Sequence, residues 1–356
     1  MTRFANWQPL LRAFSTVVLS LGCVCAVAQT PELELDLTHR SRFESLDPQF
    51  RPGYPSSDQG LALRTNLRVD AVWPRLRLTA ELLDSRIELN DIDAPTSTAI
   101  VNTLEPIQLS ATWDLAGRDS AERSMLTLGW LTKDIGSRRL IARNRFRNTP
   151  NAFAGVDWLW RNRGGTQINV FYLHPVQRLP ETSRELSTNV QQRDDVTRDT
   201  AVAGFHVQSW LAGGKALGEV LLLRSDGPER RAPDSGSHDL MTLSLRASRQ
   251  PTRGAWDFEV EAALQDGTSR PDGSPMILDN RAHFLHLSAG YTLDTARRPR
   301  VVAQYDYASG DEDPFDERME RFDTLYGARS FELGPSGIYG PFVRGNLESI
   351  GVRGTM

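Results

Sequence analysis

Cysteine is nearly absent from this 356-residue chain: Cys23 and Cys25 are the only two, and both fall within the first 28 residues. Those residues read as a leader. Arg3 and Arg12 precede an apolar, small-residue run from Phe14 to Ala28, and Ala26-Val27-Ala28 closes it in the A-x-A pattern of a cleavage site. A secretory signal peptide over 1–28, with Gln29 as the mature N-terminus, is the expectation. A membrane anchor fits less well, because the run is shorter than the roughly 20 residues a spanning helix needs. An acylated Cys23 fits less well too, since Ser20-Leu21-Gly22 is a poor lead-in. An exported chain left without cysteine has no disulfide framework and no thiolate metal site, so burial and hydrogen bonding must hold it together.

Lysine is almost as scarce, occurring only at 133 and 215, so arginine carries nearly all the positive charge. Base composition of the gene and a need to bind carboxylates explain that equally well. The net charge of −4 becomes −6 once Arg3 and Arg12 leave with the leader, which excludes nucleic acid as a partner. Beyond residue 28 no apolar run approaches eighteen residues, so helical membrane spans are excluded. Catalytic signatures are missing as well. His39, His174, His206, His238, His283 and His286 form no H-E-x-x-H spacing, and no G-x-S-x-G occurs. Neither an enzyme nor a bound cofactor is expected.

What the chain does have is alternation. In 32–44 (ELELDLTHRSRFE) every even position is polar, while Leu33, Leu35, Leu37 and Phe43 lie on the other side. Period two marks a strand with one dry and one wet face. Fourteen such segments are predicted, near 32–45, 61–73, 76–90, 104–115, 124–133, 152–161, 166–175, 200–211, 216–225, 238–248, 255–266, 281–293, 300–309 and 341–354. Their connections alternate between long and short, from 46–60 and Pro74-Arg75 through to 294–299 and 310–340. A soluble sandwich has no reason to sort its loops in this way, whereas an outer-membrane barrel has tight periplasmic turns and long external loops. The leucine face is then expected to meet lipid and the charged face a water-filled lumen. In the third segment the phase breaks at Leu82-Leu83, read as a bulge that leaves Asp84, Arg86 and Glu88 on the lumen side. Trp73, Trp113, Trp158, Trp160, Trp210, Trp256, Tyr291 and Tyr307 sit near segment ends, as interfacial girdles require.

Several stretches together resemble the alginate-export family of outer-membrane barrels. They are THRSRFE (38–44), ELLDSR (81–86), LGWLTKDIGSRRLIARNRFRNTPNAFAGVDWLW (128–160), NVFYLHPV (169–176), WDFEVEAALQDG (256–267), YDYASGDEDPFD (305–316) and FDTLYG (322–327). The most specific are 136–160 and Ala308-Ser309-Gly310-Asp311. The resemblance implies an antiparallel barrel of about eighteen strands in the outer membrane, whose arginine-rich lumen passes an anionic uronate polymer outward. Two features depart from it. Gly129-Trp130-Leu131 replaces a family Gly-Arg-Gln, removing one lumen arginine, and the chain stops at Gly354-Thr355-Met356 without a terminal aromatic. The barrel is therefore expected over 29–356 with its last four strands missing.

Conduction needs only a lumen of suitable charge and width. By phase, the lumen arginines are Arg40, Arg42, Arg64, Arg68, Arg77, Arg86 and Arg246. Arg138, Arg139, Arg143, Arg145 and Arg147 crowd the third long loop, where only Asp134 and Asp157 lie nearby in sequence. A guanidinium fork matches a carboxylate, so successive arginines could relay a polyuronate. Alternatively they could pair with Glu34, Asp36, Glu44, Glu81, Asp84, Glu259 and Glu261 and merely stiffen the wall. Asp311, Asp313 and Asp316 in GDEDPFDE make a weak Ca²⁺ candidate without EF-hand spacing. The expected partners are outer-membrane lipid and lipopolysaccharide, an anionic saccharide cargo and periplasmic export proteins. An uptake porin for organic acids or other nutrients remains open beside the export reading, and a barrel-embedded enzyme or receptor ranks behind both.

Overall fold

A computed structural model describes residues 30–47, 57–90, 96–117, 120–228, 236–271, 274, 276–313, 315–328, 332–333 and 342–356. The expected leader, with both cysteines, lies outside them.

The alternating segments form one long antiparallel meander, so that each strand pairs with the next along the chain. Its members are β1 (Glu32–Leu46), β2 (Asp58–Val72), β3 (Leu76–Glu88), β4 (Asn102–Asp114), β5 (Arg123–Leu131), β6 (Phe153–Arg161) and β7 (Gln167–Gln177). They continue with β9 (Ala201–Leu211), β10 (Ala216–Pro228), β11 (Ser237–Arg249), β12 (Ala255–Arg270), β13 (Leu278–Thr292), β14 (Arg300–Ala308) and β16 (Leu347–Thr355). Two short pieces sit off this path: β8 (Asp195–Val196) beside β7, and β15 (Arg318–Met319) beside β13. One five-residue helix, α1 (Ser183–Ser187), lies in a long loop and begins on the side-chain oxygen of Thr182. β1 and β16 are the sheet's two edges.

The sheet curls so that its two faces meet different surroundings. Leu35, Leu109, Leu245, Leu264 and Trp256 are each more than half exposed, and no second protein layer covers them among the described residues. Residues one position away, such as Glu81, His206, Glu219, Asp257 and Glu261, are buried inside. A charge moved to the outer face would cost about 2–4 kcal/mol at the membrane midplane, so lipid imposes this segregation. The fold is an antiparallel transmembrane β-barrel with short periplasmic turns and long external loops.

Most of the expected girdle gathers at the short-turn end. Trp113, Trp158, Trp160, Trp256 and Tyr291 share the parity of the lipid-facing leucines there, with the Trp256 and Tyr291 rings 5.2 Å apart. The Trp158 and Trp160 indoles donate to Ser124 Oγ and Glu122 Oε2, toward the water side. Trp210 instead shares the inward parity of His206, and Tyr307 lies at the long-loop end.

One expectation about phase is overturned. β2 and β3 pair without interruption from Leu61↔Glu88 to Val72↔Arg77, so β3 does not switch faces. The irregularity lies in the β3–β4 register, where the extra residues belong to β4 around Ile107 and Thr103. Glu81, Leu83, Ser85 and Ile87 are therefore the inward set of β3, and Asp84, Arg86 and Glu88 point outward at the external end. Arg86 is not a lumen residue; its guanidinium pairs with Asp84 at 3.0 Å.

Candidate functional site: the loop that crosses the lumen

Between β5 and β6 the chain leaves the wall and folds inward over 132–152. Arg139 and Arg143 are four residues apart yet bind strands eight steps apart in the sheet. Arg139 Nη1 donates to Glu259 and Glu261 on β12, each at 2.5 Å. Arg143 binds Glu81 on β3 with both terminal nitrogens, and Thr132 Oγ1 at 2.9 Å. The loop thus spans the barrel from wall to wall.

Its sequence explains how it stays there. Arg138 and Asn144 adopt left-handed backbone (φ 68° and 61°), which reverses the chain on either side of Leu140–Ala142. Asn148-Thr149-Pro150-Asn151, part of the stretch that carried the family resemblance, proves to be a staple. Asn148 Nδ2 donates to the carbonyls of Leu63 (2.9 Å) and Ile100 (2.8 Å), while Ser85 Oγ donates to the Asn148 carbonyl at 2.8 Å. Thr149 Oγ1 donates to the Thr98 carbonyl at 2.7 Å, and Asn151 Nδ2 to the carbonyls of Ala142 and Tyr326, both at 2.9 Å. Buried amides that satisfy several strands at once are costly to replace, because each removal strands a polar partner.

The two sides of the loop differ. Toward β6–β14 the lumen is filled. Leu140, Ile141, Phe322, Leu325 and Tyr326 from the loops pack on Phe153, Phe171, Leu173, Leu221, Leu223 and Phe284 from the strands. In this dry region Arg139 also meets Glu332 at 2.6 Å, and Arg344 holds Glu332 at 2.7 Å. Burial works against the Arg139 charge, but Glu332, Glu261 and Glu259 outweigh it and raise its pKa. Burial likewise opposes ionisation of Glu332, yet Arg139 and Arg344 keep its pKa below the ordinary carboxylate value. Removing one member of such a buried set costs about 3–5 kcal/mol, because the charges left behind have no water.

Toward β1–β5 the lumen stays open as a cavity of about 520 Å³. Arg64, Arg68, Lys133, Arg143 and Arg145 line it together with Asp36, Glu81 and Asp134. Arg68 and Lys133 are paired with Asp70 and Asp157 just behind the lining, Arg143 with Glu81 and Arg145 with Asp134, so Arg64 is the lining cation with no carboxylate at ion-pair distance among the described residues. Its roof is fastened by arginine. Arg40 donates to the carbonyls of Phe146 and Arg147 (both 3.0 Å), Arg42 to Phe146 (3.2 Å), and Arg64 to Arg145 and Arg147 (both 2.8 Å). Carbonyl oxygens carry no net charge, and among the described residues no carboxylate lies within ion-pair distance of Arg40 or Arg64.

The other sequence candidates fall on either side of this division. Arg42 also pairs with Glu44 at 2.5 Å and Arg68 with Asp70 at 2.7 Å. Arg77 pairs with Glu34 at 2.8 Å near the periplasmic mouth. Arg246 is neutralised by Glu219 and Glu259 on the dry side. Arg138 lies in the loop turn, where its carbonyl accepts from Ala328. Arg145 is the freest, with its side chain 71% exposed and Asp134 at 3.3 Å. The expectation that acids are scarce around the loop fails for Arg139 and Arg143: strands distant in sequence bring Glu81, Glu259 and Glu261 to them. Asp311, Asp313 and Asp316 do not converge on a cation; they cap the backbone amides of Glu320, Phe315 and Arg318. Among the described residues no group of three metal-ligating side chains forms.

Sequence reading missed Lys133, which is buried beside Asp157 (2.6 Å) and 4.9 Å from the Phe171 ring centre. Burial lowers its pKa, and Asp157 offsets part of that. The only signal was its rarity as one of two lysines.

The architecture is that of an outer-membrane channel, and the family comparison agrees. The family model described as alginate export matches residues 32–356, and this chain belongs to that family. Among solved structures, Pseudomonas aeruginosa OccK2 (OpdF), crystallised in complex with glucuronate, is 15% identical over 79% of this chain with a TM-score of 0.48. This chain spans 65% of that one. P. aeruginosa OccK9 (OpdG) is 17% identical, with 78% of this chain and 68% of that one covered and a TM-score of 0.48. Acinetobacter baumannii OccAB4 is 11% identical, with coverages of 79% and 83% and a TM-score of 0.42. No curated protein matches the chain in sequence.

Proposed function

We propose that the channel carries an anionic saccharide of the uronate type along the β1–β5 side of the lumen. The observation that carries this reading is the cavity beneath the loop, where Arg64 is bound only to backbone carbonyls and Arg145 keeps a side chain 71% exposed. A chain of carboxylates would exchange between such forks, each holding it weakly enough to let it go. Membership of the alginate export family supports the same cargo class and an outward direction of travel. Single-channel recording in planar bilayers tests it. Chloride should permeate better than potassium, and polyuronate added on the periplasmic side should block the current reversibly, whereas a neutral glucan should not.

A second reading has its own support. The lumen-crossing loop roofs the cavity, and its volume is in the size class of a small-molecule site. Small organic acids would fit without displacing the loop. Block by such acids with indifference to polyuronate would establish this reading in place of the first.

A further inference from the structure

Five of the six short turns at one end of the barrel carry an exposed cation. Arg75 sits in the β2–β3 turn, Arg163 in β6–β7, Lys215 in β9–β10, Arg249 at the start of β11–β12, and Arg297 and Arg298 in β13–β14; all six are exposed. None of the six has a carboxylate within ion-pair distance among the described residues. Two described acids at these turns are paired, Asp114 with Arg123 and Asp294 with Arg253, while Glu122 accepts from the Trp160 indole and keeps its charge. This lies on a protein whose net charge is −4, so the positive rim is a local departure from the whole.

The rim's position narrows what it binds. Arg249 has the outward parity of Leu245 and pairs in register with lipid-facing Phe258, two residues from Trp256. Turns this short place the other cations within about 10 Å of the Trp113–Trp158–Trp256–Tyr291 belt, at a rise of about 3.3 Å per residue. An aromatic belt marks the boundary between acyl chains and headgroups, so the cations stand at the depth of lipid phosphates. Of the inward-parity cations at the same end, Arg77 is spent on Glu34 and Asp70, Arg123 on Asp114 and Arg300 on Asp257, while Arg161 is held by the neutral Gln167 amide. Most of the inward charge at this end is therefore neutralised, and the cations of the turns stand beyond it at the leaflet surface.

We infer that the six-cation collar is a binding site for the phosphodiester headgroups of anionic phospholipids in the periplasmic leaflet. It fixes the barrel's depth at that surface and gathers acidic lipid around it. This goes beyond the cargo reading and stands or falls without it.

The test uses the full chain in phosphatidylcholine nanodiscs doped with spin-labelled phosphatidylglycerol or spin-labelled phosphatidylcholine. The motionally restricted fraction gives the relative association of the two lipids. Phosphatidylglycerol should be preferred severalfold, since each juxtamembrane cation is worth on the order of a fivefold gain near an anionic surface. The preference should fall toward unity in R75Q/R163Q/K215Q/R249Q/R297Q/R298Q, with heat-modifiable gel migration showing that the variant is folded. Should it not fold, salt decides with the wild-type chain: the preference must shrink as the screening length falls to roughly 3 Å at 1 M. Equal association of both lipids, or a preference indifferent to both salt and substitution, overturns the inference. Displacement of the bound lipid label by soluble polyuronate would overturn it too, and assign the collar to cargo.

Discussion

The two sides of one lumen are built from the same strand period and end as opposites. On β9–β13 the inward positions toward the external end are Leu221, Leu223, Leu240, Ala263 and Phe284, and loop side chains pack over them. On β1–β3 the inward positions are Arg40, Arg64, Arg68 and Glu81, too strongly hydrated to be buried together, and the space remains open. Arginine is present on both sides, but in different employment. Arg139 and Arg246 are consumed by buried carboxylates and act as anchors; Arg40 and Arg64 are fastened to uncharged carbonyls, so their charge still acts on the cavity. What an arginine does here depends on the partner that the opposite wall supplies.

Breaking the dry anchor should have the largest effect. Arg139→Gln leaves Glu261 without a cation and Glu259 and Glu332 with only Arg246 and Arg344, a loss of about 3–5 kcal/mol. The 132–152 loop should then leave the β12 wall, seen as a severalfold rise in unitary conductance and as new protease cleavage within the loop. Unchanged conductance would mean that the apolar packing alone holds it.

Removing charge from the open side should change selectivity and leave the fold intact. Substituting Arg68 and Arg145 by Gln takes two cations from the cavity and leaves Asp70 and Asp134 in excess there. Anion preference measured by reversal potential should be lost and polyuronate block weakened about tenfold or more, since a charged hydrogen bond is worth about 1.5–3 kcal/mol. The unitary conductance should stay within a factor of about two of wild type if the loop has not moved.

Acid should reproduce a mild form of the first effect. Glu332 has its folded pKa held below the ordinary 4.5, so its contribution is complete above that value and is lost as pH falls through the lowered one. Conductance should be flat from neutral pH down to about 4.5 and rise below it. A rise already present near neutral pH would contradict the role given to Glu332. The smallest effect belongs to Arg86→Gln: because this side chain points out beside Asp84, stability should shift by no more than about 0.5 kcal/mol and selectivity not at all.

Strand positions were legible because period two survives lipid on one side and water on the other; each of the fourteen predicted segments overlaps one strand of the sheet, the last, predicted over 341–354, being strand only from Leu347. The error at β3 is instructive. Leu82-Leu83 looked like a phase break because Leu83 is apolar, yet it faces inward onto Ile107 and Ala152, in a lumen that is dry at that point. Polar-in, apolar-out holds only where the lumen is wet. The lumen-crossing loop itself was visible as a cluster of arginines, but its function as a strut was not. Arg139 finds Glu259 a hundred and twenty positions further along the chain, and no local pattern encodes that distance. Asn148 and Asn151 were conspicuous as part of a family-like stretch, and only the carbonyls they reach show why asparagine is needed.

Thiol labelling tests the division of the lumen most directly, because the chain beyond residue 28 contains no cysteine of its own. Thr38→Cys places one thiol in the open cavity, and Ser244→Cys places one on the buried β11 wall behind the loop. An anionic, membrane-impermeant methanethiosulfonate should modify the first quickly, polyuronate should protect it, and the second should stay unreacted until Arg139 is replaced. Equal reaction at both sites in the otherwise unaltered chain would contradict the account, since it would mean that water and anions reach both walls alike.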